Sequence, residues 1–181
     1  MKIIILAIML TISMQNEFIL YDFNSPESSG KWYIVNDGVM GGLSESNMEL
    51  SSNGTATFTG NVSLENNGGF ASIRSVVNLS DKENFKGVAL RVMGDGNYYN
   101  LRFRNNNNFD GYAYQSKIET EKGVWKEYKI PFDDFTPTFR GYILHNKPAL
   151  ESKNIVQIGI LIADKQSGNF ELTIDWIKLY R

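Results

Sequence analysis

One run of residues near the amino terminus has the residue types and spacing of a reactive loop: Asn36-Asp37-Gly38-Val39-Met40-Gly41-Gly42-Leu43-Ser44. A phosphate loop requires Gly-Lys-Ser/Thr after its glycines, and a nucleophile elbow requires Gly-x-Ser-x-Gly. The run contains neither. Its glycines are typical of a tight corner between strands, where Asp37 would accept backbone N–H bonds or pair with an arginine such as Arg74. Met40 would then fill the space between two sheets at that corner.

Catalysis has few candidate residues in this chain. There is no cysteine and only one histidine, His145, so thiol chemistry and histidine-based metal sites are excluded. We interpret His145 as a loop residue rather than as a member of a catalytic triad. A glycosidase would need two carboxylates across a cleft, and the candidates are Asp37, Asp110, Asp133, Asp134 and Asp175. Several of these lie in turn sequences, so the sequence favours a protein without catalysis, and a glycoside-active enzyme is the weaker alternative.

Arginine and tyrosine side chains offer a binding surface instead. In the alternating segment 98–104, Tyr98, Asn100, Arg102 and Arg104 face one way, and Arg74 joins them if its strand shares the same sheet; the alternative is an ordinary solvated sheet face. Segment 112–118 adds either Tyr112 and Tyr114 or Ala113, Gln115 and Lys117, depending on its register. Such a polar and aromatic face suits a sugar, a carboxylate or a partner protein. The candidate ligand- or partner-binding residues are therefore Asp37, Arg74, Tyr98, Asn100, Arg102, Arg104, Tyr112, Tyr114 and Gln115. We expect no cofactor, although a structural Ca²⁺ held by backbone carbonyls and acids stays open.

The elements that position these residues read as short strands separated by Gly, Asn and Asp turns. About ten strands are predicted, over residues 18–23, 42–50, 55–64, 69–77, 87–93, 98–104, 112–118, 124–131, 155–163 and 170–180. No window shows a sustained helical period, and at most a short turn is expected near residues 148–153. The alternating faces require two sheets that cover each other. The predicted fold is all-β: an antiparallel β-sandwich of the jelly-roll type.

Composition and the first residues bound the remaining possibilities. The net charge is −2, with 18 basic and 20 acidic residues among 181, so nothing drives binding to nucleic acid. Residues 1–13 combine Lys2 with an apolar run and small residues before Met14, which is typical of a short secretory signal. A buried first strand is the alternative. We predict a leader over 1–13, one domain over 14–181, export to the periplasm or medium, and no membrane-spanning segment after leader removal.

The residues from Asn36 to Ser44, following Trp32, resemble the hallmark of the complex I intermediate-associated protein 30 family. Further matches follow in the family's order, and together they cover roughly residues 17–180. They are Phe58-Thr59-Gly60-Asn61-Val62-Ser63, Gly68-Gly69-Phe70-Ala71-Ser72-Ile73-Arg74, Tyr99-x-Leu101-Arg102, Trp125, Ile130-Pro131-Phe132, Phe135, Pro137 and Phe170-x-Leu172-x-Ile174-Asp175-Trp176-Ile177.

The resemblance implies a galactose-binding-like jelly roll. Mitochondrial members of the family act as chaperone-like assembly factors for respiratory complex I, and no catalytic residues are established for the domain. The leader predicted here departs from the mitochondrial type. The favoured function is therefore a non-catalytic, assembly-factor-like domain that binds a protein partner. The alternative is a carbohydrate-binding module of an exported bacterial protein, so the expected partner is a protein or a glycan.

Overall fold

The protein is a sandwich of two antiparallel β-sheets in a computed structural model that describes residues 17–79, 84–106, 108 and 110–181. The predicted leader over 1–13 lies outside these residues. The strands are β1 (Glu17–Tyr21), β2 (Trp32–Ile34), β3 (Glu45–Leu50), β4 (Ala56–Val62), β5 (Ala71–Val76), β6 (Gly87–Gly94), β7 (Tyr98–Arg104), β8 (Ala113–Glu119), β9 (Trp125–Pro131), β10 (Thr136–Phe139), β11 (Tyr142–Ile143), β12 (Gln157–Ile162) and β13 (Gly168–Tyr180). The predicted all-β sandwich is confirmed.

Helical structure in the described residues is limited to single turns. There is one α-helical turn, Pro26–Ser29, and there are 3₁₀ turns at Asp37–Met40, Glu65–Asn67, Phe132–Asp134 and Ser152–Asn154. The last of these lies near the turn expected at residues 148–153. A search of the same residues finds no helix with the length and apolar character needed to cross a membrane.

The six-stranded sheet is built around the long strand β13. Its order is β3-β4-β13-β6-β9, and β1 also pairs with β13, so that Glu17 lies opposite Tyr180. The register between β13 and β6 shifts between Ile174 and Trp176, which marks a β-bulge. A bulge bends the strand and increases its twist. Strand β13 pairs with β6 along one edge and with β4 and then β1 along its other edge.

The seven-stranded sheet has the order β11-β10-β8-β7-β12-β5-β2. Strand β12 lies between β7 and β5, and both of its pairings are antiparallel. Three of its strands, β2, β10 and β11, are missing from the sequence prediction. They are only three, four and two residues long, and Pro137 and Gly141 interrupt the pattern from which β10 and β11 could be recognised.

The apolar sides of the two sheets face each other and form the core. Phe58 and Leu172 of one sheet, and Leu101 and Ile160 of the other, are completely buried. Burying each side chain of this size stabilises the fold by roughly 1.5–3 kcal/mol. The alternation predicted for residues 98–104 is confirmed, since Tyr99, Leu101 and Phe103 are all buried. Their neighbours along β7 must therefore lie on the opposite, outer side of the sheet.

Candidate functional site

The glycine-rich run forms a corner that is held by one carboxylate. Asp37 is completely buried, and its Oδ1 accepts a hydrogen bond from the Ser44 N–H at 2.9 Å. Its Oδ2 accepts bonds from the Ser44 hydroxyl at 2.5 Å, the Gly69 N–H at 2.6 Å and the Phe70 N–H at 3.2 Å. The segment from Asp37 to Ser44 runs from β2 to β3, and the segment at Gly69 runs from β4 to β5. One side chain thus fastens two connections between the sheets, which we call the Asp37 clasp.

Two glycines beside the clasp, Gly42 of the run and Gly68 before β5, leave space for the Asp37 side chain. A Cβ on Gly42 would lie 2.3 Å from the Asp37 Cγ, and one on Gly68 would lie 2.6 Å from the Asp37 Oδ2. Gly41 follows the 3₁₀ turn with a φ of 89°, a conformation that other residues rarely adopt. The corner thus needs glycine for close approach at Gly42 and Gly68 and for a positive φ at Gly41.

The environment of Asp37 stabilises its charged form. Burial alone would raise its pKa, but the bonds from Ser44, Gly69 and Phe70 outweigh that effect and lower the pKa below its ordinary value. All the hydrogen bonds described for the carboxylate go to these three residues. The expected alternative, an ion pair with Arg74, is not among those of the described residues, and the Asp37 carboxylate is enclosed by the corner.

The residues at the tip of this corner are exposed rather than buried. Met40 is 58% exposed, and its neighbours Val39 and Leu43 are 60% and 52% exposed. The prediction that Met40 fills the space between the sheets is wrong. The 3₁₀ turn at Asp37–Met40 turns the carboxylate inward and leaves the apolar side chains of the turn on the surface.

The predicted arginines meet on the outer side of the seven-stranded sheet. Gly159 of β12 is the partner of Arg74 on one side and of Arg102 on the other. Arg102 in turn lies opposite Gln115 of β8, and Arg104 lies opposite Gln157 of β12. We call the surface formed by Arg74, Asn100, Arg102, Arg104, Gln115 and Gln157 the arginine face.

Gly159 makes this arrangement possible because the centre of the face carries no side chain. A Cβ there would lie 2.8 Å from the Ile73 carbonyl oxygen and 3.3 Å from the Arg74 Cγ. Gly159 and Gln157 were not among the predicted site residues. The alternation of polar and apolar residues along Gln157–Ile162 could have placed them on the outer side, had β12 been recognised as the neighbour of β7.

Burial and mutual repulsion weaken the hold of these arginines on their protons. Burial, together with the charge of Arg74, lowers the pKa of Arg102 to about 10. Burial, together with the charges of Arg74 and Arg102, lowers the pKa of Arg104 to about 9, although Asp110 acts in the opposite direction. Burial also lowers the pKa of Arg74, although the negative charge of Asp110 acts to raise it. All three guanidinium groups are still charged at neutral pH, so the face is positive.

The other predicted site residues divide between the two sides of the sheet. Tyr98 lies on the outer side, where the Lys117 Nζ stands 3.6 Å from the centre of its ring. Asn100 donates a 3.5 Å hydrogen bond to Asp164. The register of β8 selects Gln115 and Lys117 for the outer side, so Tyr114 is buried in the core and its hydroxyl bonds the Pro148 carbonyl.

Tyr112 is half-buried beside Tyr114, with ring centres 5.5 Å apart, and its hydroxyl accepts a bond from Asn105. It precedes β8 and packs against the core cluster. Neither tyrosine therefore joins the arginine face.

A shallow cavity of about 300 Å³ lies on the outer side of the sheet next to Arg102. Its lining consists of Asn100, Gln115, Ser116, Lys117, Asp134, Thr136, Thr138, Ile143 and Asp164. Amide, hydroxyl, cationic and carboxylate groups are thus within reach of one bound molecule. The described residues contain no group of three or more metal-binding side chains of the His, Cys, Asp or Glu type.

The remaining carboxylates proposed for catalysis have structural contacts. Asp175 forms an ion pair with Arg91 on the outer side of the six-stranded sheet. Asp110 forms a 2.7 Å ion pair with Arg140. Asp133 and Asp134 share the 3₁₀ turn after β9. His145 is exposed in the loop that follows β11.

The sequence profile of the family described as Complex I intermediate-associated protein 30 matches residues 21–174. A probable complex I intermediate-associated protein 30, mitochondrial, from Caenorhabditis briggsae is 31% identical over 180 residues, covering 88% of this chain and 53% of the relative. The mouse protein of that name, from Mus musculus, is 28% identical, covering 93% of this chain and 58% of the relative. The chain therefore spans little more than half the length of these relatives. Because they are mitochondrial proteins, the prediction of an exported bacterial protein is contradicted.

Solved structures support the same fold at lower identity. The family 11 carbohydrate-binding module from Clostridium thermocellum, in complex with a β-1,3-1,4-mixed-linked tetrasaccharide, superposes with a TM-score of 0.67 at 20% identity. The match covers 91% of this chain and 95% of the module. The agarase AgWH50C matches with a TM-score of 0.61 at 12% identity, over 92% of this chain and 25% of the enzyme. These likenesses show a β-sandwich of the carbohydrate-binding-module type.

Proposed function

Because the chain belongs to the complex I intermediate-associated protein 30 family, we propose that it is a non-catalytic, assembly-factor-like domain that binds a protein partner through the arginine face. The single observation that carries the proposal is the gathering of Arg74, Arg102 and Arg104 around Gly159, on the outer side of one sheet. The family assignment supports a role in the assembly of complex I.

The charge arrangement of this face is that of a contact surface rather than a catalytic centre. Arginine is enriched where proteins bind one another, because its flat guanidinium group can form several hydrogen bonds at once. The face adds amide side chains from Asn100 and Gln115, which suit a polar partner. Its position on regular strands keeps these groups in a fixed arrangement, which lowers the entropy lost on binding.

Affinity purification of the full chain from its own cells tests the proposal. We expect subunits of complex I or of its assembly intermediates to co-purify, and Arg102→Gln to reduce their recovery at least about tenfold, as for a charged residue at the centre of an interface. Arg91→Gln is the matched control, because it removes one arginine from the outer side of the other sheet. Equal recovery of these subunits with both variants would refute the assignment of the arginine face.

Carbohydrate binding is the second candidate function. It is favoured by the carbohydrate-binding-module type of fold and by the cavity beside Asn100 and Gln115. Against it, the Lys117 ammonium group lies over the ring of Tyr98, which would have to be free to stack on a sugar. A glycan array with the full chain tests this candidate. Binding that is lost in Arg102→Ala would support it, whereas the absence of any glycan signal would leave the protein partner as the ligand of the face.

A further inference from the structure

We propose that Arg102 and Arg104, with Arg74 beside them, form a binding site for an oxyanion carried by a protein partner. The identity of that partner rests on the function proposed above, whereas the chemistry of the site rests on the geometry of the arginines. The oxyanion is either the carboxylate of an acidic side chain or the phosphate of a phosphorylated one, since a guanidinium group forms paired hydrogen bonds with both.

Unsatisfied hydrogen-bonding groups are the first observation. In the part of the chain that the structure describes, three buried side-chain polar atoms have no hydrogen-bond partner: the Nε of Arg102, the Nε of Arg104 and the Oε1 of Gln157. All three belong to the arginine face. Arg104 is only 5% exposed, and its one described hydrogen bond is a 3.5 Å contact from Nη2 to the Gly111 carbonyl. Buried polar groups in proteins almost always have partners, so the two Nε–H donors of Arg102 and Arg104 indicate a missing acceptor, whereas the Gln157 Oε1 is itself an acceptor and lacks a donor.

Uncompensated charge is the second observation. For Arg104, Asp110 is the described acid whose charge acts on the guanidinium group, but Asp110 is exposed and already forms an ion pair with Arg140. On the other sheet, by contrast, Arg91 forms an ion pair with Asp175. Burying an arginine without a counter-charge is unfavourable. Among the residues that the structure describes, no ion pair involves Arg102 or Arg104, and a bound anion would supply the counter-charge.

Space for the anion is the third observation. Gly159 lies between the strands of Arg74 and Arg102 and lets the Arg74 side chain lie close to the β12 backbone, so the space for the anion is the cavity at the Arg102 end of the face. The cavity begins beside Arg102, because Asn100 and Gln115 line it and Gln115 is the cross-strand partner of Arg102. Asp134 and Asp164 also line the cavity and would repel an anion. The favoured position for the oxyanion is therefore the arginine end, and the amides of Asn100 and Gln115 would contact the adjoining part of the partner.

Isothermal titration calorimetry of the full chain with three peptides tests the inference. The probes are hepta-glutamate, the same peptide with a central phosphoserine, and hepta-glutamine, all at physiological ionic strength. We expect one or both acidic peptides to bind and hepta-glutamine to show no binding. Arg102→Gln should weaken binding at least about tenfold, whereas Arg91→Gln, which changes the net charge equally, should leave it nearly unchanged. Tighter binding of the phosphoserine peptide would identify phosphate as the ligand, and equal or tighter binding of hepta-glutamate would identify carboxylate.

Thermal unfolding of the same variants separates a binding role from a structural one. Removing a buried charge that lacks a counter-charge should leave the unfolding midpoint of Arg102→Gln equal to that of the wild type or raise it. If Arg102 instead stabilises the fold, the midpoint drops by several degrees. The inference is overturned by that drop, by the absence of binding to either acidic peptide, or by equal losses in Arg102→Gln and Arg91→Gln.

The two proposals fail independently. Acidic peptides that bind through Arg102, with no complex I subunits recovered from cells, would support the oxyanion site and refute the assembly role. Recovery of those subunits by the wild type, with no binding of either acidic peptide, would refute the oxyanion site alone.

Discussion

Asp37→Asn removes the charge from the buried carboxylate of the clasp while keeping its size almost unchanged. In the wild type, three of the four hydrogen bonds to Asp37 end on Oδ2 and one ends on Oδ1. An asparagine can place its amide oxygen at the Oδ2 position and keep three bonds. Its NH₂ group then faces the Ser44 N–H, where a donor meets a donor.

The expected loss of stability follows from these bonds. Hydrogen bonds to a charged group contribute about 1.5–3 kcal/mol and neutral ones about 0.5–1.5 kcal/mol, so three weakened bonds cost about 1 kcal/mol each. The unsatisfied Ser44 N–H adds about 1–3 kcal/mol. Relief from burying an ionised group offsets part of this loss. We therefore expect Asp37→Asn to lower the free energy of unfolding by about 2–4 kcal/mol.

Urea unfolding at pH 7, followed by tryptophan fluorescence, measures the difference. Asp133→Asn is the matched control, because Asp133 is exposed and the same exchange there should cost less than about 0.5 kcal/mol. If Asp37→Asn also costs less than about 0.5 kcal/mol, the clasp does not stabilise the corner and the reasoning fails.

The same pair of proteins has a predictable pH dependence. Because the pKa of Asp37 is lowered in the folded state, its charge stabilises the fold above the unfolded-state pKa of about 3.9, and this contribution is lost as the pH falls through the folded-state pKa. The stability difference between the wild type and Asp37→Asn should be constant from about pH 5 to pH 7 and should shrink below about pH 4. A difference that widens in acid would contradict the assigned direction of the pKa shift.

Three further substitutions test the geometry of the corner and of the arginine face. Gly42→Ala should destabilise the fold by about 1–3 kcal/mol, because its Cβ would overlap Asp37. Gly38→Ala, which has open space around it, should change stability by less than about 1 kcal/mol, and equal effects in urea unfolding would contradict this assignment. Met40→Ser should cost less than about 0.5 kcal/mol because Met40 is exposed, whereas Leu172→Ala in the core should cost about 2–5 kcal/mol. Gly159→Ala should weaken acidic-peptide binding in calorimetry, because its Cβ would displace Arg74 or the Ile73 carbonyl; unchanged affinity would mean that the centre of the face is not used.

The alternating strands were the predictable part of this fold. Residues 98–104 alternate between buried apolar and outward polar side chains, and this pattern alone placed Asn100, Arg102 and Arg104 on one side. Strands β10 and β11 could not be predicted, because four and two residues are too short to establish a period of two.

The candidate site was predictable only within single strands. The sequence left two registers open for segment 112–118, and only the pairing of Arg102 with Gln115 selects the outer side for Gln115 and the core for Tyr114. The place of β12 between β5 and β7 is a long-range property of the topology, so nothing in the residues around Gly159 indicated that it would lie between Arg74 and Arg102. At the corner, an aspartate followed by a glycine was consistent with a surface turn and with a buried clasp, because both use the same residue types.

The Asp37 clasp also has a consequence for the order of folding. Asp37 and Gly69 are separated by 32 residues along the chain, but most of that separation is taken up by the hairpin of β3 and β4. Before this hairpin forms, the clasp would have to close the whole loop, whereas afterwards its closure costs little entropy. We therefore expect the clasp to form after the hairpin and late in folding, so that loss of the Asp37 carboxylate accelerates unfolding and leaves the refolding rate nearly unchanged. The corner would then slow the unfolding of the sandwich and so lengthen the lifetime of the folded state. Slower refolding of the Asp37 variant in stopped-flow measurements would argue against this order.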